Sequence, residues 1–209
     1  TFLQTTEDPT NLTTYSFDGQ NIGVADDTRR IVVACHWHST VNSRVLNSAT
    51  IAGIAATIHQ QGTAATGNCA IISALVPSGT TGTIAFTLDG GVDHGAIAVY
   101  RAVNETVATP HATMVDNAIA SGVFTGTINI PTNGWVVGAC QPNAGATTNQ
   151  AAWVGVTEQY DLAYSDAAAV FRSGGFSSLL TLETGRTVSC TITNGTLPNN
   201  GRMVAVSWG

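Results

Sequence analysis

The segment Arg29-Arg30-Ile31-Val32-Val33-Ala34-Cys35-His36-Trp37-His38 limits the possible fold more than any other. Its β-branched residues run together, an aromatic sits near the end, and no Gly or Pro interrupts it, so it reads as a β-strand. Side chains alternate across a strand. Ile31, Val33, Cys35 and Trp37 therefore share one face, and Val32, Ala34, His36 and His38 share the other. Both faces begin with apolar residues, which places the strand in the middle of a sheet that is covered on both sides.

The rest of the chain reads as further strands around this one. Tyr15 and Phe17 mark a short strand, and 49–57 reads as one bent at Gly53. Residues 69–76 form an apolar strand ended by Pro77-Ser78-Gly79. Residues 82–89 alternate Ile84, Phe86 and Leu88 against Thr83, Ala85 and Thr87. Strands are also expected at 94–101, 122–130, 135–140, 153–156, 168–171, 186–193 and 203–208, with an irregular connection over 103–121. Turn signals recur at the ~8–12-residue spacing of a sandwich or barrel, and no amphipathic helix of ordinary length is present. No repeat of fixed period is visible. The nearest internal echo sets Arg30-Ile31-Val32 against Arg202-Met203-Val204. The expectation is an all-β chain: one antiparallel β-sandwich of jelly-roll type over 12–209, preceded by a polar, Thr-rich arm at 1–11 that contains Pro9.

Composition narrows the function. Only 10% of the 209 residues are charged, against roughly 25% in an ordinary globular chain. All seven basic residues are Arg. Thr, Ser, Asn, Gln and Gly must cover the surface, which suits a chain packed against copies of itself or a partner. The net charge is −6, and no basic cluster exceeds Arg29-Arg30, so binding to a phosphate backbone is not expected. No apolar run approaches the ~18–20 residues of a membrane-spanning helix, and Thr1-Phe2-Leu3-Gln4 does not have the make-up of a secretory signal. Cys35, Cys69, Cys140 and Cys190 each fall in an apolar run without a CxxC pair, so four buried, reduced thiols are expected.

Chemical signatures are few. His36 and His38 point the same way from one strand, as an H-x-H metal pair does, with Asp93 or His94 as third ligand by residue type. Two ligands alone do not hold a metal, and a polar strand end at a subunit contact is the favoured reading. Asp89-Gly90-Gly91-Val92-Asp93 occurs once and reads as a hairpin turn, not a calcium repeat. Glu158, Asp161 and Asp166 have the residue types of a glycosidase carboxylate pair but read as a solvated acidic loop. Gly174-Gly175-Phe176-Ser177-Ser178 does not make a G-x-S-x-G elbow. Three glycosylation sequons, at Asn11, Asn104 and Asn194, arise easily in a Thr-rich chain. Trp37 and Trp208 share faces with aliphatic residues and read as core or interface; Trp135 and Trp153 are open to either role.

Four blocks stand in order: Asp27-Thr28-Arg29-Arg30-Ile31-Val32-Val33-Ala34, Ser48-Ala49-Thr50-Ile51-Ala52-Gly53-Ile54-Ala55-Ala56-Thr57, Gly95-Ala96-Ile97-Ala98-Val99-Tyr100-Arg101 and Arg202-Met203-Val204-Ala205-Val206-Ser207-Trp208. This order resembles a group of phage and prophage β-sandwich virion proteins. His36-Trp37-His38 depart from that pattern, where small polar residues are usual. The resemblance implies a structural role without catalysis or cofactor: a capsid decoration (cement) protein, homotrimeric, on the capsid surface of the virion and bound to the major capsid protein. Thr1, Phe2, Leu3, His36 and His38 are the expected contact residues. The alternatives are a carbohydrate-binding or receptor-binding tail domain using Trp135 or Trp153, and a glycan-active enzyme with carboxylates opposed across a groove.

Overall fold

The computed structural model describes residues 1–117, 122–142, 151–165, 170–193 and 201–209. Seventeen strands follow one another among the described residues: β1 (Phe2–Asp8), β2 (Leu12–Asn21), β3 (Arg30–His38), β4 (Leu46–Ile51), β5 (Ile54–Ala55), β6 (Thr57–Gln61), β7 (Gly67–Leu75), β8 (Thr81–Val92), β9 (His94–Ala102), β10 (Ala112–Asp116), β11 (Val123–Ile130), β12 (Gly134–Gln141), β13 (Ala151–Val154), β14 (Thr157–Ala163), β15 (Phe171–Leu180), β16 (Glu183–Ile192) and β17 (Arg202–Trp208). All pairing is antiparallel. The expected strands are present. The turn expected at 194–195, residues 199–200 of the turn expected at 199–201 and part of the strand expected at 168–171 lie outside the described residues.

The strands form four stacked sheets. The order is β2-β8-β4-β5, then β1-β9-β3-β7-β6, then β10-β17-β12-β15-β14, then β11-β16-β13. Three apolar layers lie between them. The residue pattern explains which sheets are inside. All nine residues of β3 are buried, and β12 and β17 are buried throughout, so each needs cover on both faces. In β2, β8, β11 and β16 buried residues alternate with more exposed ones, because one face meets solvent.

The single sandwich expected over 12–209 is two sandwiches, built alike. In the inner sheets β1-β9-β3-β7-β6 corresponds, position for position, to β10-β17-β12-β15-β14; in the outer sheets β2-β8-β4 corresponds to β11-β16-β13. Once the strands are matched, the sequences follow. Ile31-Val32-Val33-Ala34-Cys35 aligns with Val136-Val137-Gly138-Ala139-Cys140. Thr83-Ile84-Ala85-Phe86-Thr87-Leu88 aligns with Thr187-Val188-Ser189-Cys190-Thr191-Ile192. The echo between Arg30 and Arg202 does not mark this repeat, since β17 matches β9 and not β3. Among the described residues the second half lacks a counterpart of β5.

Residues 1–11 also differ from expectation. Phe2 to Asp8 pair with β9, from Tyr100 to Gly95, as the edge strand of an inner sheet. Thr is β-branched and favours extended backbone, so a Thr-rich stretch with apolar residues on both faces is a strand. Leu3 packs on the first core and Phe2 on the layer between the sandwiches.

The buried arginines are loop clamps. Arg29 is fully buried and donates to the carbonyls of Val76, Ile22, Gly23 and Ser78 at 2.6–3.3 Å. Arg30 donates to the carbonyls of Glu105 and Thr106 and to Ser73 Oγ. Arg202 gathers the carbonyls of Thr63, Ala64 and Gly201. A planar five-donor fork suits several converging carbonyls in a way a single ammonium does not. Arg29→Lys should therefore lower unfolding stability by about 2–3 kcal/mol, read as a shift in urea midpoint at constant m-value.

Two glycines that follow matched outer strands, Gly53 and Gly155, have φ of 78° and 84°. A Cβ on Gly53 would meet nothing within 4 Å, whereas one on Gly155 would lie 2.1 Å from the Thr187 carbonyl oxygen. Gly53→Ala should cost about 1 kcal/mol, and Gly155→Ala about 3 kcal/mol or more, by the same urea measurement.

Candidate functional site

The contact between the two inner sheets holds most of the chain's unusual chemistry. Part of it is closely packed and largely apolar. Cys69 donates its S–H toward the carbonyls of Ala139 and Arg202 at 3.3 and 3.4 Å, and Trp135 stacks on Trp208 with ring centroids 4.3 Å apart. His59 meets Trp208 edge-on at 5.2 Å and bonds Ser73 Oγ at 2.7 Å.

The rest of the contact is aromatic and polar, with His36 directly beside Cys69 across β3 and β7. Phe2 stacks on Tyr160, and Tyr100 meets Phe176, both at 5.9 Å. His36 Nε2 and the Tyr160 hydroxyl are 2.7 Å apart, and His36 Nδ1 is buried without a partner. His38 and His94 stack at 5.8 Å, His94 stacks on Tyr164 at 5.0 Å, and the Arg172 guanidinium sits 4.8 Å over the Tyr164 ring. Arg172 also pairs with Glu7 at 2.8 Å. Burial, with Arg172 adding to it, drives the His36 pKa down to about 3; burial, with Arg30 adding, takes His59 to about 4. Burial raises the Cys69, Tyr100, Tyr160 and Tyr164 pKa values.

Several expected sites rearrange here. His36 and His38 do share a face. Among the described residues no group of three or more His, Cys, Asp or Glu converges. Asp93 is occupied by the Thr40 amide and the Asn11 side chain. Of the expected subunit-contact residues, Phe2, His36 and His38 contact the chain's own second half or line that layer, Leu3 packs on the first core and Thr1 is exposed. The reason is the second sandwich, which covers the face the sequence leaves without an internal partner.

The carboxylates do not oppose one another. Glu158 and Asp161 lie on one strand, β14, and Asp166 lies outside the described residues. Asp161 Oδ2 accepts the Ala151 amide at 2.7 Å, so it caps the open edge of β13, and Oδ1 is buried without a partner among the described residues. Neither do the tryptophans offer a free platform. Trp135 donates to Glu105 Oε2 at 3.2 Å, Trp153 donates to Ser173 Oγ at 2.8 Å and packs over Gly138, and Trp37 donates to the Arg44 carbonyl. A recess of about 300 Å³ opens between the sandwiches, with Ala102, Val103, Asn133, Trp135, Phe176 and Ser178 among its walls. The four cysteines are free and buried: Cys35 in the first core, Cys69 between the sandwiches, Cys140 and Cys190 in the second core. Sequence reasoning missed Tyr160, Tyr164, Arg172 and Glu7 as members of one cluster, since no local pattern links strands so far apart.

Burial raises the Asp161 pKa from 3.8 to about 6, with the Glu158 charge adding to it. An acid whose pKa is raised on folding stabilises the fold when protonated, and loses that contribution as pH climbs through the folded value. Asp161→Asn keeps an acceptor for the Ala151 amide and removes the charge. It should raise stability by about 1–2 kcal/mol near pH 7.5, after allowance for solvent screening, and by almost nothing near pH 4, in paired urea titrations. No protein-family model, curated protein or solved structure matches this chain.

Proposed function

We propose that this chain is a non-catalytic structural protein of a phage particle, a capsid decoration (cement) protein that attaches to the shell by its outer faces. The observation that carries this reading is that the molecule has two matched outer sheets, both weakly charged and rich in hydroxyls. On the first, Thr14, Thr87 and Ser48 line up across three strands, as do Ser16, Ala85 and Thr50. On the second, Thr125 faces Ser189 and Thr127 faces Thr187. The two sheets are the outermost of the four layers, so one copy presents the same kind of surface twice. A protein that bridges neighbouring shell subunits gains from such repetition, because modest contacts add by multivalency.

Strand order supports the same reading. In the first half β1, β9, β3 and β7 form one sheet and β2, β8, β4 and β5 the facing one. We read this alternation as a jelly roll, an architecture used for capsid and lectin domains, with β6 as an added edge. Among the described residues the second half repeats it without the strand matching β5. The order of the four sequence blocks, which resembles that of phage virion β-sandwich proteins, is what suggests a virion setting. The partners under this reading are the major capsid protein and further copies of the chain, as a homotrimer on the capsid surface.

A second reading, glycan or receptor binding at a tail, is favoured by the recess beside Trp135 and Phe176. The test is the location and copy number of the chain in purified particles, by quantitative mass spectrometry and electron cryo-microscopy. Copies in a fixed lattice ratio to the major capsid protein are expected. A handful at one vertex, with glycan-array binding abolished by Ser178→Arg at the recess mouth, would move the assignment to the tail. Turnover of a glycan substrate would end both readings.

A further inference from the structure

Four of the five histidines, His36, His38, His59 and His94, lie where the two sandwiches meet. None belongs to either sandwich's own core. Within the contact, His36, His38 and His94 lie by Tyr160 and Tyr164, and His59 lies against Trp208. Two of them have surroundings unsuited to a positive charge. Around His36 stand Ala96 from β9, Tyr160 from β14, Cys69 from β7 and, as the nearest charge, Arg172 from β15. His59 touches Ser73 and Trp208, and its nearest charge is Arg30.

The carboxylates nearby are already engaged. Glu7 takes Arg172 and the Ser165 amide, and Glu105 takes Trp135 Nε1. Asp93 bonds Thr40 and Asn11, and its charge acts on His38 and His94, not on His36 or His59. Protonation would thus put a cation facing an arginine at two points of the contact. Within the two hydrophobic clusters the titratable side chains are Tyr15 and the thiols of Cys35, Cys140 and Cys190, none of which changes charge in mild acid; Asp161, at the edge of the second sandwich, becomes neutral there, which favours the folded sandwich.

We propose that the contact between the sandwiches is an acid-responsive joint, which parts on acidification while each sandwich keeps its own core and the 103–111 connection holds the halves together. The neutral histidines lend their stabilisation in full above the ordinary histidine value of about 6.5. That contribution falls away as pH drops toward about 4 for His59 and about 3 for His36.

The thiols report on each layer separately. Cys69 sits in the joint, Cys35 in the first core, and Cys140 and Cys190 in the second. The experiment labels the intact chain with an aromatic disulfide that reacts with thiols in acid, locates the label by mass spectrometry, and scales each rate to the urea-unfolded chain at the same pH. Between about pH 7 and about pH 4, Cys69 should gain at least about a hundredfold in relative rate while the other three stay protected. Gain at all four together, or at none, overturns the proposal. The double variant His36→Gln, His59→Gln, checked for a native spectrum at neutral pH, should lose the acid step, and keeping it would also overturn the proposal. Should that variant not fold, the wild-type labelling pattern still decides.

Discussion

Face-to-face burial of the two inner sheets is the interaction on which the rest of the structure depends. Each inner strand carries apolar residues on both sides, and a lone sandwich can cover only one of them. Val32, Ala34, Ile71, Ala98 and Tyr100 from the first half meet Val137, Ala139, Val204, Val206 and Trp208 from the second. Left in water, each such side chain would forgo on the order of 1.5–3 kcal/mol of transfer free energy, or less for Ala. Each half has its own core, and the contact between them covers the apolar faces those cores leave bare. The bound halves explain why His36, His38 and His94 are buried while lying on the side of β3 and β9 that faces away from the first core.

Much of the strand content was legible in the residues, because alternation and apolar runs are local signals. Ile84, Phe86 and Leu88 show the single buried face of an outer strand, and the unbroken apolar start of β3 shows a strand covered twice. The duplication was not legible. Strand positions demand only an apolar residue of suitable size, so Ile31 and Val136, or Phe86 and Cys190, fulfil the same role without resembling each other. Loops of different length, and the lack of a partner for β5 among the described residues, remove any fixed period. The edge strand β1 hides in its composition, because Thr counts as polar in a hydropathy pattern although it is β-branched and favours extended backbone. The polar cluster between the sandwiches joins β1, β3, β9, β14 and β15, and only the tertiary fold brings those strands together.

Ionic groups of the two signs do different work. The arginines bind carbonyls from the inside, so their charge is neutralised by backbone dipoles more than by acids. Aspartates guard the open edges of the three-stranded outer sheet: Asp116 accepts the Thr125 amide of β11, and Asp161 the Ala151 amide of β13. An unpaired row of amides invites another strand to dock, and a carboxylate set against it discourages that. With its cations turned inward, the molecule shows the outside world mainly hydroxyls and a few acids.

The arginine clamps have one more consequence. Trypsin cuts only after Lys or Arg, and this chain has no Lys. Arg29, Arg30, Arg172 and Arg202 are buried and Arg44, Arg101 and Arg186 half-buried, each with its guanidinium engaged by the protein. The folded chain thus offers such a protease little to hold, and it has no lysine ε-amine for acylating or aldehyde reagents. A surface built from it would be unresponsive to lysine chemistry and resistant to one of the commonest digestive cuts.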